Sequence, residues 1–126
     1  MDPQTYVPGV CNIGPAEIGA RKRIGWIGLV VTVLLWAAFI FFRIAAPWRL
    51  FLFIPAAMSA TGFIQAYAHF CAGFGMKGLF NFGTEVGKTE TVQQQEFRKM
   101  DRQKALRIFG YSIVLGAVVA LLAFYL

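Results

Sequence analysis

The sequence predicts an all-α membrane protein, a single domain over residues 1–126 with three transmembrane helices, the N-terminus cytoplasmic and the C-terminus outside. Three observations predict it. Apolar residues make up 58% of the 126 and charged ones only 14%, and the apolar residues gather into the uncharged runs Ile24–Phe42 (19 residues), Leu50–Met76 (27) and Ile108–Leu126 (19). About 20 apolar residues suffice to cross the hydrocarbon core as a helix. Once three spans are drawn, ten of the twelve basic residues (all but Arg43 and Arg49) share one side, together with all six acidic ones. This is the positive-inside pattern, and it sets the orientation. Finally, no Asp, Glu, Lys or Arg interrupts a run, as a lipid-facing helix requires and an ion-coupled carrier contradicts.

In chain order, residues 1–14 carry Pro3, Pro8, Gly9 and Gly14 and are expected to form an extended, turn-rich tail. Tyr6, Val7, Val10 and Ile13 call for a surface on which to dock. A helix over 15–43 should start at Pro15, with Gly14 as its N-cap, Glu17 at the third position and Ile13 stapled against Ile18. Glu17 and Arg21 are spaced as an i,i+4 pair, and Arg21, Lys22 and Arg23 mark the headgroup level. Gly28 and Thr32 give the first span a small-residue face, while Trp36, deeper in, needs a partner for its N–H. The first run is too long for a signal-peptide core and no small-x-small site follows Phe42, so this span is expected to be retained.

A short link with Pro47 and Trp48 should lead into a second span over 49–72, where Pro55 is harmless near the helix start. Ser59, Gly62, Gln65, Ala66, His69 and Gly73 recur at three- and four-residue spacing and predict a helix-packing face. The glycines after Cys71 predict a compact loop over 73–90. From Thr91 a polar helix should run into the third span, residues 91–126, with Thr91 and Gln94 as a capping box and Glu96/Lys99 and Asp101/Lys104 as intrahelical pairs. Ser112, Gly116 and Ala120 form its packing ladder, and Tyr125 suits the outer aromatic belt.

His69 is the sharpest candidate for chemistry, as a cofactor ligand or as half of a Gln65–His69 hydrogen-bonded pair. Cys11, His69 and Cys71 suggest a metal site. On a continuous helix, however, residues 69 and 71 point about 200° apart. Both thiols fall on the cytoplasmic side, where disulfides are disfavoured. Residues 83–89, GTEVGKT, resemble a phosphate-binding loop, but one residue too few separates the glycines and no strand precedes it, so nucleotide binding is not expected. The pI near 9.8 follows from topology, with no nucleic-acid partner. Arg21, Lys22, Arg23, Arg98, Lys99, Arg102, Lys104 and Arg107 are expected to contact anionic headgroups, Arg98–Arg107 serving alternatively as a docking surface for an acidic partner. No catalytic grouping is apparent.

Three stretches, residues 7–18 (VPGVCNIGPAEI), 69–78 (HFCAGFGMKG) and 81–83 (NFG), resemble a group of small bacterial three-span membrane proteins. The resemblance implies a bacterial inner membrane and transfers no functional residue. Together these readings lead to the expectation of a non-enzymatic accessory or assembly subunit, without a cofactor of its own, packed against other membrane subunits, for instance in a respiratory or photosynthetic complex. A small redox or metal-handling protein using Cys11, Cys71 and His69 is the second expectation, and a homo-oligomeric pore the third.

Overall fold

The structure, a computed structural model, describes residues 6–126. It is mostly helical, and three helical segments, Pro15–Phe41, Ala46–Ala68 and Gln95–Tyr125, are long and apolar enough to cross a membrane. In chain order, α1 (Pro15–Phe41) is followed by the single turn α2 (Ala46–Arg49), a 3₁₀ turn (Leu50–Leu52) and α3 (Phe53–Ala68). Then come α4 (Ala72–Lys77), β1 (Leu79–Phe80), β2 (Glu90–Thr91) and α5 (Gln95–Tyr125). The central helix is α3, which packs against both α1 and α5.

Helix α1 starts at Pro15 behind Gly14, whose backbone is extended. The ring pre-sets a helical φ, and the missing N–H is one that a helix start leaves unbonded anyway. At the far end Arg43 takes a left-handed conformation (φ 53°). Its N–H bonds Ile40 O at 3.2 Å and Ile44 N–H bonds Phe39 O at 2.9 Å, the paired bonds of a Schellman cap. The second span starts as α2 and the 3₁₀ turn because Pro55 cannot donate to Phe51, and i→i+3 bonds tighten the turn before it.

Small residues bring the helices together. A Cβ on Gly62 would lie 2.5 Å from Gly25 N and 2.7 Å from Arg21 O, and one on Gly28 would lie 2.8 Å from Ser59 N. The backbones of α1 and α3 thus touch, and Ser59 Oγ donates to Gly25 O at 2.7 Å. On the other flank a Cβ on Gly116 would meet Ala57 Cβ at 2.9 Å, with Ser112 and Ala120 buried along the same face of α5. Close contact is what helix association in lipid rests on, since apolar tails supply no hydrophobic drive between helices.

At the basic end the second span does not reach residue 72. Helix α3 stops at Ala68, because His69 turns left-handed (φ 55°, ψ 39°). Its N–H bonds Ala66 O at 3.4 Å, and Phe70 N–H bonds Gln65 O at 3.1 Å. Residues 73–90 are likewise not all loop. Cys71 caps the short helix α4, and Leu79 and Phe80 pair antiparallel with Thr91 and Glu90. That pairing takes Thr91 out of the third helix, which begins at Gln95 with no side-chain cap bond from Gln94. Phe70, Ala72, Ala105 and Ile108 form a core here, joined by Ile64 and Ala68. It fastens α4 to α5.

Candidate functional site

The chemistry-bearing residues collect at the basic end, where the tail, the 69–91 segment and the helix ends form a cap. The break between α3 and α4 leaves backbone groups without helical partners, and Asn12 supplies them. It is fully buried, its Oδ1 accepts from Cys71 N–H at 2.7 Å and its Nδ2 donates to Cys71 O at 3.1 Å. Asn12 N–H bonds His69 O at 3.1 Å, and Asn81 N–H bonds Asn12 O at 2.9 Å. One amide thereby stands in for the missing stretch of helix.

Glu17 anchors the opposite wall. It is 1% exposed, its Oε1 accepting from Asn81 Nδ2 at 3.0 Å and from Gly87 N–H at 2.6 Å. Its Oε2 faces Arg21 Nη1 at 3.0 Å, an ion pair without the alignment of a hydrogen bond. Arg21 Nη2 in turn donates to Cys71 Sγ at 3.1 Å, and the guanidinium lies 5.5 Å from the Phe74 ring centre. Arg21, expected at the headgroups, thus has partners within the cap. Burial commits its charge to Glu17 and Cys71.

Asp101 holds the tail. It is completely buried, accepting from Tyr6 Oη at 2.6 Å and from Gly9 N–H at 2.7 Å. Burial, then the hydrogen bond to Asp101 and that carboxylate's charge, push the Tyr6 phenol well above its ordinary range. Tyr6 also stacks on Phe80 at 4.8 Å between ring centres. The expected Asp101/Lys104 pair is absent among the described residues, because Asp101 turns to the tail and Lys104 Nζ sits 5.8 Å from the Phe70 ring centre. Glu96 and Lys99 likewise form no ion pair there.

The expected Gln65–His69 pair does not form either. Gln65 accepts from Ala72 N–H at 2.8 Å and donates to Thr61 O at 3.1 Å, so it bridges α3 to α4. The turn at His69 carries the ring off the face of α3 that bears Ser59 and Gly62. The ring is half-buried at the mouth of a crevice with Ile18, Lys22, Phe63, Ala66 and Tyr67.

Cys11 and Cys71 are both buried thiols. Among the described residues no group of three His, Cys, Asp or Glu side chains is placed to hold a metal ion, so Cys11, His69 and Cys71 do not converge. Cys71 Sγ instead accepts from Arg21 and, at 3.5 Å, from Phe74 N–H. Lys22, Arg23, Arg98, Lys99, Arg102 and Arg107 stand exposed around the cap. In the spans, Trp36 Nε1 is buried and has no hydrogen-bond partner among the described residues.

Sequence reasoning missed Asn12, Asn81 and Asp101 as buried pins and took Glu17 as one half of an ordinary helical pair. A signal was present for two of them. Asn12 lies between Cys11 and Ile13, and Asn81 between Phe80 and Phe82, and a polar residue inside an apolar stretch that docks must bring its partners with it. The network fixes backbone, and its carboxylates are already bonded. No protein-family model, curated protein or solved structure matches the chain.

Proposed function

We propose that this chain is a non-catalytic accessory or assembly subunit of a larger membrane complex, a fixed cap on three spans that other subunits pack against. The observation that supports it is the commitment of Asn12, Glu17, Arg21, Asn81 and Asp101 to the chain's own atoms. That makes the cap a rigid platform. Below it the outer flanks of α1 and α5 are bare, with Leu34 64% and Val114 60% exposed. On this reading the cap and N-terminus lie in the cytoplasm and the C-terminus outside, in a bacterial inner membrane, a reading that the charge asymmetry supports.

Purification in mild detergent after in-membrane cross-linking tests this. Cross-links from the α1 and α5 flanks to a second membrane protein that co-elutes are expected. A free monomer with no cross-linked species overturns it.

The Arg21–Cys71 contact favours one second reading, a redox-active thiol, since cationic and N–H donors surround reactive sulfurs. Burial of Cys71 at 5% exposure opposes it. Thiol titration of the folded protein decides: rapid modification of Cys71 supports redox handling, and protection removes it.

A further inference from the structure

Between α1 and α3, at the basic end, lies a crevice of about 450 Å³ lined by Ile18, Lys22, Phe63, Ala66, Tyr67 and His69. Its floor is apolar and its rim polar. Ile18 and Lys22 are one turn apart on α1, and Phe63, Ala66 and Tyr67 share one face of α3. The Phe63 wall is fixed: its ring fills the space beside Gly25, where a Cβ would come within 2.8 Å of it, and Trp26 packs edge-on at 5.3 Å.

The rim groups are uncommitted. Tyr67 is 91% exposed and Lys22 is exposed, and among the described residues neither side chain, nor the His69 ring, makes a hydrogen bond or ion pair. Glu17, the nearest acid on α1, is buried and turned to Arg21, Asn81 and Gly87. Among the described residues no carboxylate lines the crevice.

We propose that this crevice binds the headgroup of an anionic phospholipid. The Lys22 ammonium, a His69 ring N–H and the Tyr67 hydroxyl surround the phosphate, while the glycerol and first acyl carbons lie on Ala66 and Phe63. Charge complementarity selects the anion, and the apolar floor selects the lipid over a soluble phosphate. A bare phosphate has nothing to place against Phe63, whereas an acyl chain continues from there onto the exposed apolar surface of α1 at Trp26 and Leu29.

The test is native mass spectrometry of the full chain purified from bilayers of equimolar phosphatidylglycerol and phosphatidylcholine. The wild-type chain retains phosphatidylglycerol preferentially, and Lys22→Gln lowers that preference by roughly fivefold, the worth of one basic residue at an anionic surface. His69→Asn, which tolerates the left-handed backbone, lowers it as well, while Lys99→Gln on α5 leaves it unchanged. Unaltered retention in Lys22→Gln, or equal loss in Lys99→Gln, overturns the site. Displacement of the lipid by millimolar inorganic phosphate overturns the lipid assignment. Lys22 is exposed, so its replacement leaves the fold intact.

Discussion

His69 sits at φ 55°, where a side chain costs about 1–2 kcal/mol relative to glycine, although histidine enters this region more often than most residues. That position, which the paired cap bonds of α3 demand, separates conformational from chemical roles. His69→Gly is expected to raise stability by roughly 0.5–1 kcal/mol, and His69→Val to lower it, in thermal unfolding in detergent. Glu17 sits at the other extreme. Removing it in Glu17→Ala takes the counter-ion from Arg21 and the acceptor from Gly87 N–H, leaving Asn81 Nδ2 with Glu85 O alone, with an expected loss of about 3–5 kcal/mol, the penalty of an uncompensated buried charge. Equilibrium denaturation measures the loss, and limited proteolysis within residues 83–89 reports release of the loop.

Tyr6 adds a pH dependence. Its folded-state pKa is raised, chiefly by burial and then by Asp101, so its contribution to docking the tail is complete below the unfolded value of about 10. It is lost as pH rises through the folded value. Absorbance titration should show a late-ionising tyrosine component that Tyr6→Phe reduces. A late component of unchanged size in Tyr6→Phe contradicts the assignment.

Among the elements, α1 and α3 depend on backbone contact rather than on interlocking bulk. Gly62→Ala drives a methyl group into Gly25 N and Arg21 O, neither of which can yield without separating the helices. The expected cost is about 1–3 kcal/mol or more. Gly19→Ala and Gly110→Ala meet nothing within 4 Å among the described residues and are expected to stabilise by roughly 0.5–1 kcal/mol through helix propensity alone. Unfolding of the three variants side by side distinguishes packing from propensity. The same elements explain the helix boundaries. Apolar runs reveal length, but a helix continues through Ala68–Ala72 on composition alone. What stops it is the buried amide of Asn12, brought from 59 residues away, which satisfies the broken backbone and makes the interruption stable.

For the whole molecule, the distribution of charge and of apolar runs has a direct consequence. With ten basic residues on one side and two on the other, accessible-cysteine labelling at Arg23 and at Lys99 is expected from the same face of the membrane, and labelling at Arg43 from the opposite face. Arg23 and Lys99 on opposite faces would refute the topology. Three apolar spans and the alignment of small residues within them were legible in the sequence because lipid imposes length and hydropathy locally, on consecutive residues. Gly25 and Gly28 meeting Ser59 and Gly62 could not be assigned, because spacing names a face without naming its partner.

By itself the sequence determined that three helices long and apolar enough to span a membrane would form and where the basic residues would cluster, since both are sums over neighbours in the chain. Only the tertiary structure decided that Glu17, Asp101, Asn12 and Asn81 are buried pins, that Arg21 bonds Glu17 and Cys71, and that Cys11, His69 and Cys71 do not converge. Those outcomes depend on hydrogen bonds between residues as far apart as Tyr6 and Asp101. A buried polar group is stable only where the fold supplies a partner, and no local pattern says where that partner will be.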